Sequence, residues 1–101
     1  MPDSTLAHFP IRTGPLASTP VVVSIHSSIS LHGVPGFALH RHHSRPGIWT
    51  VSHIETGAEC GTGRTTTAAI YDAIIKSSDR AGVYAGIART KEQLEILGVK
   101  L

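Results

Sequence analysis

The sequence predicts an α+β domain: an antiparallel sheet of three to four strands, with one main helix over about residues 66–81 and a short C-terminal helix packed on one face. Three observations carry this. Apolar residues alternate with polar ones along Val21–His32, a period of two. After Thr65 the apolar spacing changes to three and four. Strand-like segments come first and helical ones last, without the alternation that builds a parallel sheet.

Residues 1–19 hold Pro2, Pro10, Gly14 and Pro15 and no sustained period, so they read as an irregular arm with a short extended piece at His8–Arg12. Residues 20–101 then form a single domain. In the first strand Val21, Val23, Ile25, Ile29 and Leu31 share the dry face, which Ser27 interrupts as a bend or bulge. Ser24, His26, Ser28, Ser30 and His32 make the other face polar and expected to meet water. Gly33-Val-Pro-Gly36 suits a type II turn with Pro35 and Gly36 at its centre.

Phe37–His43 continues as a second strand, Ser44–Gly47 turns, and Ile48–Glu55 is a third. In that third strand Trp49, Val51 and His53 oppose Ile48 and Ile54, so its facing is open. Thr56-Gly57 turns again, and Ala58–Cys60 suits a short return strand. Thr65, Thr66 and Thr67 offer N-cap hydroxyls, Asp72 and Lys76 an i,i+4 pair, and Gly82 a helix-stopping glycine. Val83–Ala88 reads as a fourth strand or a packed connection. Thr90–Gln93 matches a capping box, starting a two-turn helix anchored by Leu94 and Leu97 and stopped by Gly98.

At 101 residues with 41% apolar and 16% charged side chains, the chain is one modest core's worth, neither disordered nor membrane-like. No apolar run approaches the roughly 18 residues of a spanning helix, so no membrane partner is expected. The start lacks a signal-peptide pattern, and Cys60 is the lone cysteine, which excludes an internal disulfide and a multi-thiolate metal site; cytoplasmic residence is the expectation. The net charge of +2 is small, but three arginines and one acid precede Trp49, together with six of the seven histidines. Full protonation of the histidines would add seven to that charge, mostly in the first half.

Four constellations bear on chemistry. The run Gly57–Gly63 before a helix suggests a phosphate cradle, but five residues separate those glycines and Arg64 stands where a P-loop has lysine, so an NTPase is excluded. A passive anion contact at Arg64, Thr65 and Thr66 stays open. His40 and His42 project to one face of a strand, and with His26 or His32 could hold zinc; carboxylates are scarce nearby, so a solvated histidine face is the alternative and no cofactor is expected. Cys60 and His53 could form a thiolate–imidazole pair, against the plainer reading of a small buried cysteine. Trp49 is either core or the best interface anchor in the chain, and Arg41, His42, His43 and Arg45 form a basic patch beside it.

The segment Trp49-Thr-Val-Ser-His-Ile-Glu-Thr-Gly57, followed by a glycine-rich loop and Arg64-Thr-Thr-Thr-Ala-Ala-Ile70, resembles a strand–turn–helix pattern of small phage and prophage reading frames. It covers about a fifth of the chain, and Arg64 precedes the threonines where the pattern has it follow one. The resemblance implies an accessory protein that occludes a surface on a host machine, as anti-CRISPR inhibitors do, and carries no functional residue across. The leading expectation is therefore a non-enzymatic binding protein that inhibits or modulates a host protein or ribonucleoprotein complex by steric occupancy. Its candidate interface is His26, His32, His40, Arg41, His42, His43, Arg45, Trp49 and Arg64. A nucleic-acid-binding module using the same patch and a zinc protein built on His26, His40 and His42 are the alternatives, and a homodimer is allowed.

Overall fold

Among the described residues, five strands run consecutively into two helices. The computed structural model describes residues 8–11, 21–42, 44–96 and 98. The rest of the expected arm, His43 and Leu97 lie outside the described residues, as do the side chains of His8–Ile11 and Val21–Ser24. Strands β1 (His8–Ile11), β2 (Val21–Leu31), β3 (Val34–Arg41), β4 (Trp49–His53) and β5 (Glu59–Gly63) pair antiparallel in sequence order. Strands β2–β5 are the expected sheet, and β1 extends it at one edge. The fold class is α+β.

The β2–β3 turn sits earlier than predicted. His32 and Gly33 both have positive φ, 50° and 82°, and Leu31 pairs with Val34, which is the two-residue hairpin whose twist matches the strands. Pro35 and Gly36 instead fall in a register shift of β3, where Gly36 takes φ 101°. A second shift between Ile25 and Ser27 leaves His26 as the extra residue of β2. That bulge divides the strand's face. Ser27 and Ile29 pair with Leu39 and Phe37 on one side, whereas Ile25 pairs with His40 on the other. The predicted single dry face of β2 is therefore broken at the interruption, because one inserted residue inverts every facing before it.

The core lies between the sheet and the helices. Leu31, Val34, Phe37, Leu39 and Val51 meet Ala69, Ala73 and Val83. Trp49, Val51 and His53 pair with Arg41, Leu39 and Phe37, which settles the facing of β4: this row looks toward the helices. Helix α1 spans Thr66–Ser77, with Thr65 as its N-cap accepting from the Ala68 N–H. Asp72 of α1 accepts the Thr62 N–H of β5 at 3.0 Å and pairs with Lys76, and these contacts hold its carboxyl below the usual range.

Two glycines bring α1 onto β5. A Cβ at Gly61 would stand 2.4 Å from the Ala73 nitrogen, and one at Gly63 would stand 2.7 Å from the Ala69 nitrogen. The glycine run is thus a helix-packing surface.

Helix α1 ends at Ser77, earlier than predicted, and α2 spans Arg80–Ile96. Val83–Ala88, expected as a strand or connection, is the first part of α2, and Thr90 lies inside it rather than starting a short helix. The Thr90 hydroxyl donates back to the Gly86 carbonyl. Asp79 Oδ1 accepts from the Gly82 N–H at 2.8 Å and so caps α2. Gly82 is no helix stop. A Cβ there would stand 1.9 Å from the Ser77 carbonyl oxygen, so glycine permits the tight junction between the helices. Among the described residues no helix is long and apolar enough to cross a membrane.

Candidate interaction surface

One end of the sheet gathers three exposed arginines. Arg41 closes β3, Trp49 opens β4, and Arg64 follows Gly63, the residue paired with Trp49. Arg45 sits in the connecting turn. Arg41, Arg45, Arg64 and His26 are exposed, and Trp49 is half-buried. The bulge at His26 matters here, because it delivers the imidazole to the same row. The His26 and Trp49 rings meet edge-on, centroids 5.1 Å apart. The Arg41 guanidinium carbon lies 4.4 Å from the Trp49 ring centroid on the other strand.

The result is a stack of cation, indole and imidazole on a rigid base, since Trp49 also packs against the core cluster. Trp49 packs on the core with one aspect and carries the Arg41 guanidinium on another. A guanidinium held over an indole gains about 0.5–1 kcal/mol at an exposed site. It keeps its in-plane N–H donors free for a carboxylate or phosphate, the geometry for two parallel hydrogen bonds. Among the described residues the Arg41 guanidinium makes no ion pair.

The remaining histidines are dispersed. His32 donates from Nε2 to the Ile74 carbonyl at 3.1 Å, which ties the β2–β3 turn to α1. His42 Nδ1 accepts the N–H groups of Ser44 and Arg45, at 3.1 and 3.0 Å, and so organises the turn that displays Arg45. Its Nε2 faces Glu59 at 3.6 Å. His40, placed among the interface candidates by sequence, is buried, with 4% of its surface exposed. It points away from the helices beside Thr50 and Ser52, so it offers no contact surface. Its Nδ1–H donates to the Arg41 carbonyl and its Nε2 accepts from the Ser52 hydroxyl, both at 2.8 Å. His43 lies outside the described residues.

These placements do not assemble the zinc alternative. The Nδ1 atoms of His40 and His42 are engaged by backbone groups, and His26 packs on Trp49. Among the described residues no three His, Cys, Asp or Glu side chains come together as metal ligands.

The Ser52–His40 pair escaped the sequence reading, since only strand register brings residues twelve apart into contact. It has the order of a nucleophile, a base and an orienting carbonyl. Both side chains are nearly fully buried and neither lines the cavity beneath the helices, so the bond satisfies two buried polar groups. Among the described residues Thr50 Oγ1 beside them is buried without a hydrogen-bond partner.

At the far end of β4 the thiolate–imidazole reading fails on electrostatics. Burial pushes the Cys60 thiol up to about 11, and the thiol donates to the Ala58 carbonyl at 3.4 Å. It is a protonated thiol at neutral pH and a poor nucleophile. Burial also lowers the His53 pKa, Glu55 opposing and Lys91 reinforcing the shift, so its imidazole is neutral at pH 7. Comparison with known proteins found no matching family model, no similar curated protein and no similar solved structure.

Proposed function

We propose that the protein is a non-catalytic binding module that docks its Arg41–Trp49–His26 end onto an acidic surface of a protein partner. The observation that carries this reading is the stack itself: an exposed guanidinium 4.4 Å over a half-buried indole, with Arg45 and Arg64 at the same end. Rigid aromatic and arginine anchors of this kind lose little conformational freedom on binding, and they dominate interface energetics. A protein partner fits better than nucleic acid. Arg41 already occupies an indole face that a base would stack on, and the net charge of +2 supplies little phosphate neutralisation. The resemblance to small phage frames makes a host complex the first partner to try, with occlusion of its surface as the mode of action.

The test is capture from bacterial host lysate by immobilised protein, run in parallel with Arg41→Glu and with Tyr71→Ser. Tyr71 lies on α1, is exposed and is no member of the stack. The reading expects one stoichiometric protein retained by the parent chain and by Tyr71→Ser, and lost at least tenfold by Arg41→Glu. Equal retention by all three chains, or retention of nucleic acid alone, refutes it.

A further inference from the structure

A cavity of about 220 Å³ opens between the His53 end of the sheet and the two helices. Its floor is apolar, made by Phe37, Leu31 and Val83 with Ile87 of α2. Its size is informative. An enclosed apolar cavity of about 150 Å³ is known to take up benzene, so this volume suits one aromatic ring bearing a small substituent.

Two groups say what that substituent is. Thr56 is fully buried, and its hydroxyl oxygen accepts the Ala58 N–H at 3.3 Å. Its hydroxyl proton must go elsewhere, and the acceptor at hand is His53 Nδ1, 2.9 Å away. Assigning the hydroxyl as the donor in that bond puts the proton of the neutral His53 on Nε2. His53 lines the cavity, and Nε2–H has no partner among the described residues. At the mouth stands Arg89, which makes no ion pair among the described residues. Of the other charges lining it, Lys76 pairs with Asp72 at 3.0 Å, and Glu59 lies 3.6 Å from His42, an ion pair only when that imidazole is protonated.

We propose that this cavity binds a small monocyclic aromatic carboxylate, its ring on the Phe37–Val83–Ile87 floor and its carboxylate answered by His53 Nε2–H and Arg89. The site is separate from the Trp49 surface, at the opposite end of β4, and does not depend on that reading. Gly86 of α2 fits the same picture. It lines the cavity, and a Cβ there would meet nothing within 4 Å, so packing does not demand glycine at this position.

The experiment is a titration of the isotopically labelled full chain with benzoate, followed by amide chemical shifts, with benzamide and benzyl alcohol as parallel probes. For a ligand of this size a Kd on the order of 1 mM is expected. Benzoate should bind at least fivefold more tightly than either neutral probe, with shifts centred on His53 and α2. Arg89→Gln should remove that preference while leaving ring binding. Gly86→Leu should abolish binding of all three while the spectrum stays folded, because the new side chain grows into open space. Absence of benzoate binding at 10-fold the expected Kd overturns the proposal. Equal affinity for the neutral probes, or binding undiminished in Gly86→Leu, overturns it as well.

Discussion

The two helices close the same sheet in opposite ways. Helix α1 lies with its backbone against β5, because Gly61 and Gly63 leave no side chain between them. Helix α2 is longer, yet among its described residues only Val83 and Leu94 are buried, and it spans a cavity where Gly86 leaves space unfilled. Glycine thus does two different jobs within one layer. On the strand under α1 its missing Cβ removes an obstacle; on α2 an added Cβ would meet no neighbour. The first contact gives a rigid platform, and the second leaves room for a guest. Past the N-terminus of α1, the stack of Arg41, Trp49 and His26 stands exposed at the sheet's end.

Replacing each glycine by alanine breaks this comparison most sharply, because opposite signs are expected. Gly61→Ala drives a methyl into the Ala73 nitrogen and the Ala69 carbonyl oxygen, backbone atoms that cannot rotate away. Urea denaturation should show a loss of about 3 kcal/mol or more. A loss under about 1 kcal/mol would mean that α1 can lift from β5 at little cost. Gly86→Ala should stabilise the same fold by about 0.5–1 kcal/mol, since it meets nothing and improves helix propensity. Destabilisation there would show that α2 packs closer than its unfilled space suggests.

A pH titration sharpens the picture at the cavity. His53 has a lowered pKa in the folded chain against an ordinary value of 6.5, so the unfolded chain binds its proton first. Stability from this group is complete above pH 6.5 and falls as the pH drops from there toward the lowered folded value. Denaturation midpoints measured from pH 7.5 to 5 should fall, and His53→Gln should flatten that slope. An unchanged slope in the variant would show that His53 is as solvated folded as unfolded.

Much of this was legible in the sequence, for reasons that differ by segment. The period of two in Val21–Leu31 and the threonines before α1 are local signals, and they gave the strand and the N-cap. The α1–α2 junction was missed because Gly82 looks like a helix terminator when read locally. Its purpose is a close approach to the Ser77 carbonyl, and the start signal was Asp79 three residues earlier. The candidate surface was half readable: arginines and Trp49 cluster in sequence, but which histidine joins them depends on the bulge at His26. His40, two residues from His42, is turned inward by strand alternation and bonded to Ser52, a contact that only the register of β3 on β4 creates.

Trp49 is the sole tryptophan, so its fluorescence reports on the proposed surface alone. Titration with a polyglutamate peptide in low salt should change that emission saturably. The change should disappear in Arg41→Glu and weaken severalfold as salt is raised to about 0.5 M, where exposed charges are screened. Emission that ignores the peptide, or answers it equally with glutamate at position 41, would contradict recognition of an acidic partner at this end of the sheet.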